Sequence, residues 1–451
     1  MLLLANDIIV VLLLYCDSSA HNSSRKNGAP MKKFSCVCRS LTGPRAAWFF
    51  IAAIALAITA AAQAQNFTVQ DTPNPNPRGN TFNAVAANST SDAWAVGYQN
   101  DNNLNDSRTL VQHWNGSAWT TVPSPNPGLA SAIVCSNLNS GNVLTSVAVV
   151  STNDVWAVGY FFGCSSILLR PMALHWNGVQ WSVVPTPKLN TNDNAAFNSV
   201  VALAANDIYA VGYQPAPNGA VLTLIEHWNG VAWSVVSSPN GNNTGNVLTS
   251  VTANSPTDIW AVGDQVAPGI EARTLALHFN GSTWSVVPTP NPVHGGNLTQ
   301  NVLTSVVAVA PNDVTAVGYI LANLTELTMV QHWDGNSWTV VASPNVSTSA
   351  GSFNTLRGVT AVNGSDLYAV GFFANGTTNG QQKSLLLHFN GTAWSIISSP
   401  SKATAQQLNG AFARLGDGDV WVAGAASVPG TDPETGFLQT PITFMLFTNG
   451  G

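Results

Sequence analysis

The chain is 451 residues long and 45% hydrophobic, yet only 8% of it is Asp, Glu, Lys or Arg, with a formal net charge of −6. Ordinary soluble domains carry roughly 25% charged residues, so Asn, Ser, Thr and Gly supply the polar surface here. From Gln65 onward nine Lys and Arg face 19 Asp and Glu, a net of −10, which excludes phosphate-driven nucleic-acid binding and adhesion to an anionic membrane.

Residues 1–30 read as an extension outside the fold, because the apolar stretch Met1–Tyr15 is short and broken by Asn6 and Asp7. Met31 opens a second start. Lys32, Lys33, Arg39 and Arg45 form a positive region, Trp48 to Ala62 an apolar one, and Ala62-Gln63-Ala64 a small-x-small cleavage site. Residues 31–64 therefore read as a secretory signal peptide. The rival is an N-terminal membrane anchor, but the apolar run is shorter than the roughly 20 residues a spanning helix needs. The expected location is secreted, periplasmic or at the cell surface, with no membrane attachment after cleavage. Of five cysteines only Cys135 and Cys164 then remain, and export favours a disulfide between them.

From Asn66 the chain is repetitive. Its unit reads L-T-S-V, then N-D-V-W-A-V-G-Y, a variable gap, then T-L-x-x-H-W-N-G-x-x-W-S-V-V-P-S-P. Asp92, Asp154, Asp207, Asp258, Asp313, Asp366 and Asp419 mark seven copies, spaced by 62, 53, 51, 55, 53 and 53 residues. The copies lie near 82–126, 144–187, 197–240, 248–292, 303–345, 356–400 and 408–451, numbered here one to seven. A period of this length means stacked or radially arranged units. The seventh copy lacks its W-S-V-V, while residues 66–77 (Phe67-Thr68-Val69-Gln70, then Pro73-Asn74-Pro75) match that missing end. A linear solenoid has no reason to split a unit between its two ends; a ring does.

Each unit reads as four short strands: L-T-S-V-x-A, D-V-W-A-V-G, T-L-x-x-H-W and W-S-V-V, the last stopped by Pro. Asn-Gly before the fourth strand predicts a two-residue hairpin with both residues at positive φ. Small four-stranded sheets around an axis make a β-propeller. The expected fold is therefore all-β, a seven-bladed β-propeller with four-stranded blades and a ring closed by the N-terminal strand completing the last blade. The position after Thr or Asn in the first strand is small in every unit (Ala84, Ser146, Ser199, Ser250, Ser305, Gly358 and Gly410), as crowding at an axis requires.

The unit resembles the kelch repeat of galactose-oxidase-type propellers. Val262-Gly263, His278-Phe279-Asn280-Gly281 and Trp284 fall in the matching order. The second glycine of the kelch pair is replaced by Tyr98, Tyr160, Tyr213, Asp264, Tyr319, Phe372 and Ala425. No Tyr-Cys constellation matches the copper site of galactose oxidase, so the resemblance implies the fold and not the oxidase activity.

His113, His175, His227, His278, His332 and His388 share one position. Equivalent positions spread around a ring, whereas one metal ion needs its ligands at about 2 Å. No metal and no cofactor is expected; each His is read as structural, with the repeated Asp as its partner. Trp119, Trp181, Trp233, Trp284, Trp338 and Trp394 are read as packing between blades.

Function is expected where the units differ. The connections after the second and fourth strands emerge on one face and are long. Phe161, Phe162 and Phe373 fall outside the repeat pattern there, with Arg108, Arg170, Arg273, Glu271, Glu326 and Lys383. These are the candidate binding residues. Their surroundings suit a neutral polar partner, an extracellular glycan or protein, bound by a monomer that is a non-enzymatic scaffold. The alternative is a carbohydrate-active hydrolase or lyase with a mixed axial cluster drawn from Glu226, Glu271, Glu326, Arg357 and Arg414. No G-x-S-x-G, H-E-x-x-H or P-loop motif is present, and no catalytic residue is assigned.

Overall fold

The computed structural model describes residues 3–5, 8–10, 66–100, 106–129, 140–163, 166–189, 194–242, 244–266, 271–292, 299–375, 381–414, 416, 418–429 and 439–449. The segment 31–64 read as a signal, and the Cys135–Cys164 bond, lie outside them. The chain divides into two compact units, Met1–Ala64 and Gln65–Gly451. In the first, the described residues are a pair of three-residue antiparallel strands, Leu3–Ala5 and Ile8–Val10.

Among the described residues the second is built of strands, with one 3-10 turn at Pro127–Leu129. Unit four shows the plan: Gly245–Ser255, Asp258–Val266, Ala272–Phe279 and Trp284–Val286 run as an antiparallel meander. Five sheets are such four-stranded meanders, and units three and four join through the bridge pair Val221–Gly245 into one of eight strands. In unit seven, Ala405–Ala413, Val420–Pro429 and Gln439–Thr448 take Thr68–Gln70 as their fourth strand.

A β-bulge organises the first strand of every unit. In unit four it falls between Leu248 and Ser250, where Leu248 pairs with Gly263 and Ser250 with Val262. The extra residue, Thr249, is thereby turned toward the next unit. It donates to Leu303 O at 2.8 Å, and Ser250 Oγ accepts the Val306 amide at 3.2 Å. The bulge also lodges a carbonyl against the second strand. A Cβ on Gly263 would meet Val247 O at 1.9 Å, and the equivalent glycine of every other unit meets its first-strand carbonyl in the same way. The first glycine of the kelch-like pair is thus fixed by close approach, while the position after it is free to carry a side chain. The small residue after the bulge has the same cause: a Cβ on Gly410 would lie 2.8 Å from Asn83 O.

Bulge residues link successive units. Asn83 donates to Leu144 O, Thr145 to Phe197 O, Asn198 to Leu248 O and Thr304 to Leu356 O; Arg357 donates to Asn409 Oδ1, and Asn409 donates to Phe82 O. Apolar clusters fill the space between units; Trp94, Val96, Leu144, Val155 and Trp181 belong to one. The fourth-strand Trp sets its ring edge-on to the second-strand aromatic of the unit before. Centroids are 5.4 Å apart for Trp181–Trp94, 5.5 Å for Trp233–Trp156 and 5.4 Å for Trp338–Trp260. Phe67 takes the Trp place for unit seven, 5.7 Å from Tyr368.

In units one, three, four, five and seven the connection after the fourth strand is clamped to the third. Asn291 Oδ1 accepts the Thr274 amide at 2.8 Å, and Asn74 Oδ1 accepts the Thr443 amide at 2.8 Å across a separation of 369 positions. The Asn-Gly turns differ from expectation. The described non-glycine residues with positive φ are Asn323 and Leu324, so the Asn of each Asn-Gly keeps an ordinary φ and Gly281 (φ 90°) takes the left-handed one. Asn280 Oδ1 instead accepts the Ser282 and Thr283 amides, both at 3.0 Å. Its side chain mimics a backbone acceptor in a four-residue loop between Phe279 and Trp284. Among the described residues, a two-residue turn with positive φ at both positions falls at Asn323-Leu324, between the paired Ala322 and Thr325.

Candidate functional site

An antiparallel meander puts its first and third connections at one end and its second and fourth at the other. At the short-turn end the repeated Asp and His meet. His113, His175, His227, His278, His332 and His388 each place Nε2 2.7–2.9 Å from Oδ1 of their own unit's Asp. The imidazole lies on the second-strand aromatic, with ring centroids 4.3 Å apart for Trp260–His278 and 4.4 Å for Tyr209–His227. Unit five has Thr315 opposite His332 in place of an aromatic. Among the described residues no three His, Cys, Asp or Glu gather as a metal-ligand set. Trp119, Trp181, Trp233, Trp284, Trp338 and Trp394 are all buried between sheets, none more than 8% exposed. Sheet packing accounts for both sets.

The other end carries the residues that differ. Directly after the obligatory glycine stand Tyr98, Tyr160, Tyr213, Asp264, Tyr319 and Phe372. They form a connected group. Burial pushes the Tyr160 hydroxyl above its usual range, and Tyr213 and Tyr98 add to it. Burial pushes Tyr319 up first, then Glu326 and Asp264, with Arg357 opposing. Burial alone raises Asp264 to about 6. Arg357, a bulge residue of unit six, sets its guanidinium 4.9 Å from the Phe372 ring centroid and donates to Asn409 Oδ1 at 2.8 Å. Burial lowers its pKa, while Glu326, Tyr319 and Tyr98 work against that. Side chains from units one, five and six thus share one field. Glu326 Oε2 is held by Thr355 Oγ1. Sequence reading missed the tyrosines, treating them only as departures from a second kelch glycine; the signal was the same residue at one position in four units.

The candidate binding residues do not converge. Phe161 packs into the core between units one and two. The Phe162 ring covers Gly141, where a Cβ would meet it at 2.1 Å. Arg108 and Arg170 are exposed on third strands of units one and two. Arg273 and Glu271 face each other at 3.6 Å, both largely exposed. Phe373 and Lys383 line a shallow cleft with Val346, Ser384 and Ile396, and Lys383 Nζ is tied to Thr404 O. Only Glu326 joins the tyrosine group.

The mixed axial cluster is also narrower than expected. Glu226 is fully buried in mid-strand between Ala210 and Val235, with neither oxygen hydrogen-bonded and its pKa raised by burial to about 8. Arg414 follows a first strand and so lies at the short-turn end. The nine Lys and Arg after Gln65 therefore divide unevenly. Arg78, Arg108, Arg170, Lys188, Arg273, Arg357, Lys383 and Lys402 fall on connections or strand ends at the loop-bearing end, against Arg414 alone at the other. Asn side chains pin these connections: Asn354 Oδ1 accepts the Val346 amide, and its Nδ2 donates to Glu326 O.

With this geometry the chain can be compared with known proteins. No protein-family model matches it, and no curated protein does. Solved structures do. An ulvan lyase, a polysaccharide lyase also seen bound to -[GlcA(1-4)Rha3S]-, is 10% identical with a TM-score of 0.50, covering 83% of this chain and 92% of that one. YCF48 bound to a D1 peptide is 12% identical with a TM-score of 0.46, covering 86% and 96%; YCF48 from Cyanidioschyzon merolae is also 12% identical, TM-score 0.47, covering 85% and 98%. These are β-propeller proteins, and at such identities the likeness concerns fold alone. The chain has a β-propeller fold.

Proposed function

We propose that the chain is an exported, seven-bladed, kelch-like propeller that binds extracellular glycan through its loop-bearing end without turning it over. Supporting the seven-bladed ring is the run of bulge-residue bonds, which passes through all seven units and returns from Asn409 to Phe82. The N-terminal strand in the sheet of unit seven supports closure from outside.

The observation that carries glycan binding is the tyrosine group. Tyr98, Tyr160, Tyr213 and Tyr319 recur at one position beside the glycine, half-buried, at the end where the Asn- and Ser-rich connections lie. Aromatic faces beside amide and hydroxyl groups suit the apolar faces and hydroxyls of pyranose rings. The neighbours include a polysaccharide lyase and a peptide-bound protein and favour neither partner by themselves.

A second reading, hydrolase or lyase, rests on Asp264, Glu326, Tyr319 and Arg357 lying in one field. Burial holds Tyr319 in its protonated form, which works against it as a base at neutral pH. A polysaccharide binding screen on the purified protein, followed by turnover assays on each hit, tests both. Binding that Tyr160→Ala and Tyr213→Ala each weaken by about tenfold, with no product, fits the binding module. Binding indifferent to both variants overturns it, and product formation moves the assignment to the second reading.

A further inference from the structure

We propose that Arg357 anchors the carboxylate or sulfate of an acidic polysaccharide at the loop-bearing end. This rests on the glycan reading and names the class of glycan.

Arg357 is half-buried, yet among the described residues no carboxylate lies within ion-pair distance of it. Its contacts are one hydrogen bond to Asn409 Oδ1 and the Phe372 ring. A guanidinium carries five N–H donors in a planar fork suited to bidentate oxyanions, so most of that fork has no protein acceptor. Glu326 acts on this half-buried guanidinium through the shared field without touching it, so an oxyanion from the ligand would supply the direct acceptor that the fork lacks. The nearby acids are held away from it: Glu326 Oε2 accepts the Thr355 hydroxyl, and Asp264 is buried with its pKa raised to about 6.

The wider surface is mixed in charge: seven further Lys and Arg stand at this end with Asp71, Asp106, Asp264, Glu271 and Glu326, whereas the other end has Arg414 against the repeated Asp residues and Asp334. The cations of this acidic molecule nevertheless lie almost wholly at the end where the tyrosines are. A polyanionic chain laid across this end would meet Arg357 centrally and residues such as Arg273 and Lys383 peripherally. An acidic peptide shares the charge but makes less use of four tyrosine faces.

The test is affinity electrophoresis of the full chain in gels containing dextran, polygalacturonate or dextran sulfate, repeated for Arg357→Gln, Arg273→Gln and Arg414→Gln. The expected result is retardation by an acidic polymer over dextran. Polygalacturonate alone would identify carboxylate as the anion, dextran sulfate alone sulfate. Arg357→Gln should weaken binding by about tenfold, and its amide can still reach Asn409, so its melting curve should match wild type. The exposed Arg273→Gln should cost about twofold, with retardation fading as salt shortens the Debye length below about 10 Å; Arg414→Gln should change nothing. Equal retardation by dextran, indifferent to salt and to Arg357→Gln, would overturn the acidic class and leave glycan binding intact. No retardation in any gel, with poly-glutamate bound instead, would overturn both.

Discussion

The two ends of the molecule are built under different rules. At the short-turn end the units are near copies: Asp meets His, His lies on an aromatic ring, and Asn-Gly closes the hairpin with the same two amide contacts. The Asp, His and turn Asn side chains there find their partners inside their own unit or in the adjoining one. At the loop-bearing end only the glycine and the clamp on the third strand recur, and the next position varies from Tyr to Asp to Ala. Repetition thus marks what the sheets need from themselves, and divergence marks where the chain is free to meet something else. A conspicuous residue such as His278 is structural because it recurs with its partner, while Arg357 stands out because its unit breaks the pattern.

The largest test of this contrast removes the piece both ends share. Deleting residues 66–74 takes away the fourth strand of unit seven, the buried Phe67 and the clamp on Thr443. Losing the buried aromatic alone costs about 3–5 kcal/mol, so the melting temperature should fall by at least about 4 °C. An unchanged melting curve would sink the split-unit architecture. Next comes a pair one residue apart in the repeat. Gly263→Ala drives a Cβ into Val247 O at 1.9 Å and should cost about 3 kcal/mol in denaturant unfolding. Tyr160→Ala, directly after the equivalent glycine, should cost about 1 kcal/mol and act chiefly on binding. Equal losses would erase the distinction between the two positions.

Glu226 sharpens the comparison from inside a sheet. Its counterparts Gln112 and Gln331 donate to Pro73 O and Pro290 O at 2.7 and 2.9 Å. Burial raises the Glu226 pKa to about 8, so the folded state holds a proton that the unfolded chain releases near its ordinary value of about 4.3. The folded state binds more protons than the unfolded one between those values, so stability is highest below the lower and is lost as pH rises through about 8. Glu226→Gln should flatten that slope and raise stability at pH 8 by about 2 kcal/mol; a parallel pH profile in the variant would refute the assignment. The smallest effect belongs to Leu324, 78% exposed at φ 62°. Leu324→Gly should add about 1 kcal/mol by relieving the left-handed conformation, and a loss would show that its side chain has a role the structure does not reveal.

Much of the fold was legible because repetition reports on packing. The spacing of Asp92 to Asp419, the split W-S-V-V and the small residues from Ala84 to Gly410 all express contacts each unit makes with the next. The bulge was not legible, because the one-residue shift it makes in the inward-outward alternation falls within a strand too short to set that shift apart from ordinary variation in residue type. The Asn-Gly turns misled for a related reason: the dipeptide suits a two-residue turn, but here the Asn side chain spends its acceptor on two amides and four residues form the loop. The site was least legible. Phe161 and Phe162 look available in sequence because they break the pattern, yet one packs in the core and the other covers Gly141. Arg357 was legible only as one member of a mixed axial cluster with Glu226, Glu271, Glu326 and Arg414; that the bulge turns it toward Asn409 of the next unit was not.

Thr68 bonds to Phe447 across 379 residues. Bringing such distant segments together costs only about 3 kcal/mol more than closing a ten-residue hairpin, since the entropy grows with the logarithm of loop length. Its consequence is one of timing. Until both ends of the chain are available, the strand Gln439–Thr448 keeps an unpaired edge, and the N-terminal strand has nowhere to dock. During that interval a second molecule offers the same strand, and it competes in proportion to its concentration. Folding at high concentration should therefore yield strand-exchanged dimers, whereas dilute folding should yield monomers that each complete their own seventh sheet.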